Sequence, residues 1–210
     1  LDPQGNATMG SGMEKKELPH SIYDVLIGEK SAEESLVKAE AAGYDVLGSN
    51  SDLIGAEIEL LDLDRREYRL KDALLGFGGK YDFIVLDCPP ALGVLTLNGL
   101  VASDSVIIPM QCEYYALEGL TALLDTIDRI SSSLNPKLKV EGLLRTMYDP
   151  RNSLSRDVSL HLIDHFGDAV YRTIVPKNVR LAEAPSYGVP VHFYDKYSRG
   201  CLLYTSPSPR

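Results

Sequence analysis

The stretch YDFIVLDCPPALG, residues 81–93, decides how this chain is read. Its first half is a continuous run of Phe, Ile, Val and Leu, without the polar alternation of a strand that has one wet face. This predicts a strand buried on both sides, as in a parallel sheet covered by helices. The run ends in Asp87, turns at once into Cys88-Pro89-Pro90 and reaches Gly93. Ligands in open α/β sheets collect at the carboxyl ends of strands, so Asp87 is expected where a ligand sits. A carboxylate there is what a Walker B element needs to hold Mg2+ directly or through water, and two prolines stiffen the loop that follows. The plainer alternative is an aspartate that merely caps the next turn.

Outward from this stretch, similar apolar runs lie at 44–47, 105–110, 139–148 and 169–175. Between them the spacing predicts helices over 21–29, opening at Ser21, and over 116–134 and 153–166. A further helix is predicted over 55–77, with Ile58, Leu61, Tyr68, Leu70 and Leu74 on one apolar stripe. Strand alternating with helix means a doubly wound α/β fold, a mostly parallel sheet with helices on both faces. One domain is expected over 1–199. Residues 200–210, ending CLLYTSPSPR, carry Ser-Pro steps and no helical period, and read as a disordered or non-native tail.

Composition narrows the function classes. With 44% hydrophobic and 24% charged residues the chain is ordinary globular protein. No run of 18 apolar residues could cross a bilayer as a helix, and residues 1–30 do not read as a signal peptide. The net charge of −9 is uneven: residues 1–100 carry 9 Lys/Arg against 18 Asp/Glu, residues 101–210 carry 12 of each. Arg145, Arg151, Arg156, Arg172, Lys177 and Arg180 crowd into 145–180 against four acidic residues, which allows a local basic face. The three cysteines lack metal-ligand spacing and read as reduced, packed thiols; Cys88 has no His placed to activate it. His161 and His165 are spaced i, i+4 without a zincin glutamate, and Tyr114-Tyr115 reads as helix-to-sheet packing.

The opening residues LDPQGN form a turn cluster headed by a carboxylate. If Leu1 ends a parallel strand, Asp2 joins Asp87 at the carboxyl edge of the sheet. One carboxylate near Mg2+ and one positioning a water suit phosphoryl transfer. Taken alone, the same residues are a turn.

Five blocks, LDPQGNAT, YDFIVLDCPPALG, PMQCEYYALEGL, TMYDPRNSLSRDV and VPKNVRLAEAPSYGVPV, resemble consecutive blocks of the ParA/Soj-type chromosome- and plasmid-partitioning ATPases, over nearly all of residues 1–199. The resemblance implies a P-loop NTPase-like fold that uses ATP and Mg2+. It implies that Asp2 orients the attacking water and that Asp87 takes the Walker B role, contacting Mg2+ through its water shell. Pro89, Pro90 and Gly93 then fall in a switch segment, and Thr146, Met147, Pro176 and Asn178 around the nucleotide. It further implies an ATP-dependent homodimer that binds DNA without sequence preference, is stimulated by a centromere-binding ParB-type protein, and works in the cytoplasm on the nucleoid, not at a membrane. Arg151, Arg156, Lys177 and Arg180 are the candidates for DNA phosphate contacts.

The family's phosphate loop, K-G-G-x-G-K-[ST], does not occur in the 210 residues. GFGGKY (76–81) is a decoy, because Tyr81 follows the lysine and a strand rather than a helix follows the loop. The resemblance therefore implies a chain that starts at the end of the family's second strand, lacks the first strand-loop-helix and cannot hydrolyse ATP alone. Two other readings stay open: a MinD-like ATPase acting at a membrane to position cell division, and a non-catalytic binding module without a phosphate loop. A dinucleotide oxidoreductase is disfavoured, since no G-x-G-x-x-G opens a helix.

Overall fold

The computed structural model describes residues 1–113 and 116–205; the Tyr114-Tyr115 pair and the end of the tail, 206–210, lie outside the described residues. The chain forms two compact units, Leu1–Ser103 with Ala184–Pro190, and Asp104–Glu183 with the residues from Val191 onward.

The first unit contains helices α1 (Asn6–Gly10) and α2 (Ile22–Ile27), the strands β1 (Leu36–Ala39) and β2 (Tyr44–Leu47), and helices α3 (Leu53–Glu59), α4 (Arg69–Leu74) and α5 (Val94–Ala102). α2 begins as the sequence predicts. The Ser21 hydroxyl accepts from the Tyr23 amide at 3.2 Å, and Asp24 accepts from the Ser21 amide at 2.7 Å. This reciprocal cap satisfies two amides that the helix itself cannot. Ile22, Val25, Leu26, Leu53, Ala56, Leu60, Leu70, Phe77 and Leu95 form the core, each of the larger ones stabilising the fold by about 2 kcal/mol on burial. Asn98 is fully buried among them. Its amide donates to the Arg66 and Val94 carbonyls and accepts from the Leu70 amide at 3.1 Å, which fixes the start of α4.

Three expectations for this unit need correction. Residues 81–87 form no strand; among the described residues their backbone has no hydrogen-bonded neighbour. Tyr81 and Leu86 pack against the core, while Phe83 and Val85 are 87% and 89% exposed. Apolar composition can favour a strand but cannot supply the ladder that makes one. Residues 44–47 are a strand, but they pair antiparallel with β1 (Leu36↔Leu47, Ala39↔Tyr44) and not with a parallel sheet. The long helix expected over 55–77 is broken into α3, α4 and intervening 3-10 turns, with Arg65 at φ 53 between them. Its buried face is Leu53, Ala56, Leu60 and Leu70, whereas Ile58 and Leu61 of the expected stripe face solvent.

The second unit is built on a parallel sheet in the order β3-β4-β5, with β3 Ser105–Gln111, β4 Lys139–Tyr148 and β5 Val170–Pro176. The crossover helices are α6 (Ala116–Ser133) and α7 (Ser153–Phe166), both at the predicted places. Asn152 caps α7 by accepting from the Leu154 amide at 3.0 Å. Parallel pairing aligns the carboxyl ends of the strands: Gln111 stands beside Thr146, and Tyr148 beside Pro176. Helices α8 (Val179–Glu183), α9 (Val191–Tyr194) and α10 (Arg199–Thr205) follow. The tail expected from residue 200 is thus helical as far as Thr205. Gly200 allows this: a Cβ there would stand 2.7 Å from Leu181, so only glycine lets α10 come so close, and Cys201 is buried.

Candidate functional site

The candidate residues divide between the two units. In the first, Asp2 heads a tight turn. Its carboxylate accepts from the Gln4 amide at 3.0 Å, and its carbonyl accepts from the Gly5 amide at 2.9 Å and from the Ser49 hydroxyl at 2.8 Å. Ser49 is itself pinned, its amide donating to the Thr8 hydroxyl at 2.9 Å. Gly5 closes the turn at φ 60, a conformation costly for other residues. So the turn reading of LDPQGN holds, and the turn fixes where the Asp2 carboxylate sits.

The segment that carries Asp87 is seated in the same unit through Cys88. A Cβ on Gly99 of α5 would stand 2.6 Å from Cys88 Sγ and 3.2 Å from Leu1 Cδ1. Leu1 and Cys88 therefore both pack on α5 at Gly99, and Asp2 and Asp87 follow and precede them in the chain. Burial raises the Cys88 thiol, which keeps it protonated and fits the reading of a packing residue. Asp87 is exposed and forms no hydrogen bond or ion pair among the described residues. Pro89 is held in the following loop, where the Thr96 hydroxyl reaches the Pro89 carbonyl at 3.2 Å and the Ala91 carbonyl at 2.6 Å.

In the second unit the candidates gather at the carboxyl ends of β4 and β5. Met147 is exposed and sits at φ 50. A left-handed conformation at a methionine costs about 1–3 kcal/mol and recurs where a backbone must present itself to a ligand. Next to it, the Lys177 amide donates to the Tyr148 carbonyl at 3.1 Å, so Pro176 and Asn178 follow β4 closely. Asn178 caps α8, accepting from the Arg180 and Leu181 amides at 2.9 and 3.3 Å. Thr146, Met147, Pro176 and Asn178 thus share one sheet edge.

The basic candidates are less alike than the sequence suggests. Arg151 is bidentate on Asp149, Nε to Oδ1 at 3.0 Å and Nη2 to Oδ2 at 2.8 Å. These bonds hold the Asp149 carboxyl down to about 2. Arg180 is shared between Glu183 at 2.8 Å and Asp195 at 3.4 Å. Arg156 and Lys177 are exposed and form no ion pair among the described residues. Arg145 leaves the basic face altogether: it is buried and donates to the Ser159 hydroxyl and the Tyr171 carbonyl, both at 2.8 Å. Among the described residues, no group of three or more His, Cys, Asp or Glu stands together to hold a metal directly.

The family profile described as an AAA domain matches residues 1–140. The chromosome partitioning protein ParA of Caulobacter vibrioides (strain NA1000 / CB15N) is 48% identical over 205 residues, which is 97% of this chain and 77% of that protein. The sporulation initiation inhibitor protein Soj of Bacillus subtilis (strain 168) is 48% identical over 204 residues, 97% of this chain and 81% of its own. The chain belongs to the ParA/Soj chromosome-partitioning ATPase family. Among solved structures, cobyrinic acid a,c-diamide synthase from Mycobacterium smegmatis, crystallised with an ATP analogue and magnesium, superposes with a TM-score of 0.79 at 40% identity, covering 89% of this chain and 77% of that one.

Sequence reasoning about this ParA/Soj relative missed the residues that hold the site in place. Thr8 and Ser49 lie 41 positions apart, and nothing local links them. Gly99 looks like any helix glycine until Cys88 is seen against it. Two signals were readable: Asp149 and Arg151 at i, i+2 beside a helix cap, and Arg180 and Glu183 at i, i+3.

Proposed function

We propose that this chain is the nucleotide-switched part of a DNA-segregation ATPase, in which Asp2 and Asp87 work as a pair on one triphosphate. The observation that carries this reading is the packing on Gly99 of Leu1 and Cys88, the chain neighbours of Asp2 and Asp87. Asp87 fits a magnesium ion's water shell, being exposed and without an internal partner. Magnesium would supply charge neutralisation of the phosphates. Asp2, its orientation fixed by the Gln4 amide, is built to position a water. The loop from Pro89 to Gly93 leads from Asp87 straight into α5, so a change at the phosphate would be passed to a helix.

On the second unit, Met147, Thr146, Pro176 and Asn178 suit a flat base laid on the sheet edge, with the strained Met147 backbone offering its polar groups to the rim. Nucleotide closes a homodimer in this reading, and the dimer binds DNA without sequence preference through Arg156 and Lys177 first, Arg151 and Arg180 being already paired. A centromere-binding ParB-type protein then stimulates hydrolysis, in the cytoplasm and on the nucleoid.

The 210 residues hold no K-G-G-x-G-K-[ST], and two carboxylates alone cannot cradle a triphosphate. ATP hydrolysis by this chain should therefore not exceed that of its Asp87→Ala variant. Extended ahead of Leu1 by a strand-loop-helix bearing that motif, the chain should hydrolyse ATP and lose the activity in Asp2→Ala and Asp87→Ala. Turnover that survives both substitutions would overturn the reading.

A further inference from the structure

Helix α3 is apolar on two sides. Leu53, Ala56 and Leu60 turn into the core, while Ile54, Ile58 and Leu61, spaced i, i+4 and i+7, are 54%, 69% and 55% exposed. Single exposed aliphatics are ordinary, but Ile54 and Ile58 on α3 continue into Leu61 in the 3-10 turn that follows it, and together they form a stripe.

The charge around the stripe is one-sided. Residues 51–64 contain Asp52, Glu57, Glu59, Asp62 and Asp64 and no Lys, Arg or His. Glu59 accepts from the Tyr23 hydroxyl, and Asp52 from Asn50. Glu57, Asp62 and Asp64 form no ion pair among the described residues, and Glu57 and Asp62 flank the stripe on its two sides. The nearest cations are engaged elsewhere, Arg65 on Asp72 and Arg66 on Glu67 and the Leu61 carbonyl.

We propose that α3 and the turn after it dock a basic amphipathic helix of a partner protein, one with aliphatic residues at helical spacing and lysine or arginine on either side of them. The charge selects this occupant. A second copy of the chain would set acid against acid across the interface, and an anionic membrane or a nucleic acid would be repelled by the same carboxylates. A basic amphipathic helix matches both the stripe and its borders. The docking site stands apart from the nucleotide chemistry proposed above, so either can fail without the other. It does border the loop after Asp87: Glu57 Oε1 lies 2.8 Å from where a Cβ on Gly93 would stand.

The test is an anisotropy titration of the 210-residue chain with a labelled synthetic helix that has leucines at i, i+3/i+4 spacing and lysines elsewhere. A matching peptide with glutamates in place of the lysines is run beside it. The lysine peptide should bind saturably and the glutamate peptide should not. Ile58→Glu should weaken binding about tenfold by removing one buried aliphatic contact. This change adds negative charge, so a purely electrostatic association would tighten instead and would overturn the proposal. Asp62→Lys should also weaken binding. If the glutamate variant fails to fold, Ile58→Ala, which leaves the charge unchanged, should still weaken binding, and unchanged binding would overturn the proposal.

Three further results would overturn the proposal. One is loss of binding that follows Phe83→Glu rather than Ile58→Glu. Another is self-association of the chain that Ile58→Glu abolishes. The last is flotation with phosphatidylglycerol vesicles that the same substitution abolishes.

Discussion

Replacing Gly99 by alanine tests the contact that seats the Asp87 segment on α5. Gly99 is buried inside α5, and a Cβ there would stand 2.6 Å from Cys88 Sγ. Alanine in a helix interior is worth about 1 kcal/mol over glycine, whereas overpacking a filled site costs about 1–3 kcal/mol. The overpacking wins, and Gly99→Ala should destabilise by about 1 kcal/mol. Cys88→Ala alone removes a half-buried sulfur and should also cost about 1 kcal/mol. In the double variant the sulfur is gone and the helix gain is recovered. The pair should then lose less than about 0.5 kcal/mol where additivity expects about 2, a coupling of about 1.5 kcal/mol. The chain contains no Trp, so urea unfolding is best followed by far-UV circular dichroism. With a slope of about 2 kcal/mol per molar urea, the coupling separates the expected midpoints by about 0.7 M. Additivity within about 0.3 kcal/mol would refute the contact, and with it the seating of the Asp87 segment on α5.

Asn98→Ala should cost about 2–4 kcal/mol in the same assay, because it strands the Leu70 amide and the Arg66 carbonyl in the core; a loss below about 1 kcal/mol would mean water replaces the amide. Asp149 should titrate near 2 by carboxyl NMR and return toward the ordinary carboxylate range in Arg151→Ala. Since its folded value is depressed, the stability it contributes is present above the ordinary range and is lost as pH falls from there toward about 2. For DNA binding, Arg156→Ala and Lys177→Ala should each lower the slope of log affinity against log salt by about 1. Arg151→Ala and Arg180→Ala should change it less, since those guanidiniums already face carboxylates.

What could be read in advance followed the range of the interactions involved. Ser21 before α2 and the periodic runs of α6 and α7 are local signals, and those helices formed where expected. So did β3, β4 and β5, whose pairing is assured by two short crossovers. The 81–87 run failed as a strand because pairing depends on a neighbour, which the run itself does not encode. The 55–77 helix failed because its apolar residues fit two faces, and only tertiary packing chose Leu53, Ala56 and Leu60 over Ile58 and Leu61. Arg145 shows the same limit for charge: adjacent basic residues suggested one surface, but position 145 on β4 points a guanidinium toward Ser159 and Tyr171.

The segment from Phe83 to Leu86, exposed at Phe83, Ile84 and Val85, has its own consequence for work on this protein. It is a charge-free, β-favouring window that can template cross-strand stacking between molecules, and Asp82 and Asp87 are the gatekeepers on either side of it. The charge of Asp87 therefore opposes such stacking, a role separate from the one proposed for it in the nucleotide site. Neutralising it by substitution should speed precipitation at high concentration. Loss of activity in Asp87→Ala is then interpretable only on protein shown by light scattering to be still monodisperse.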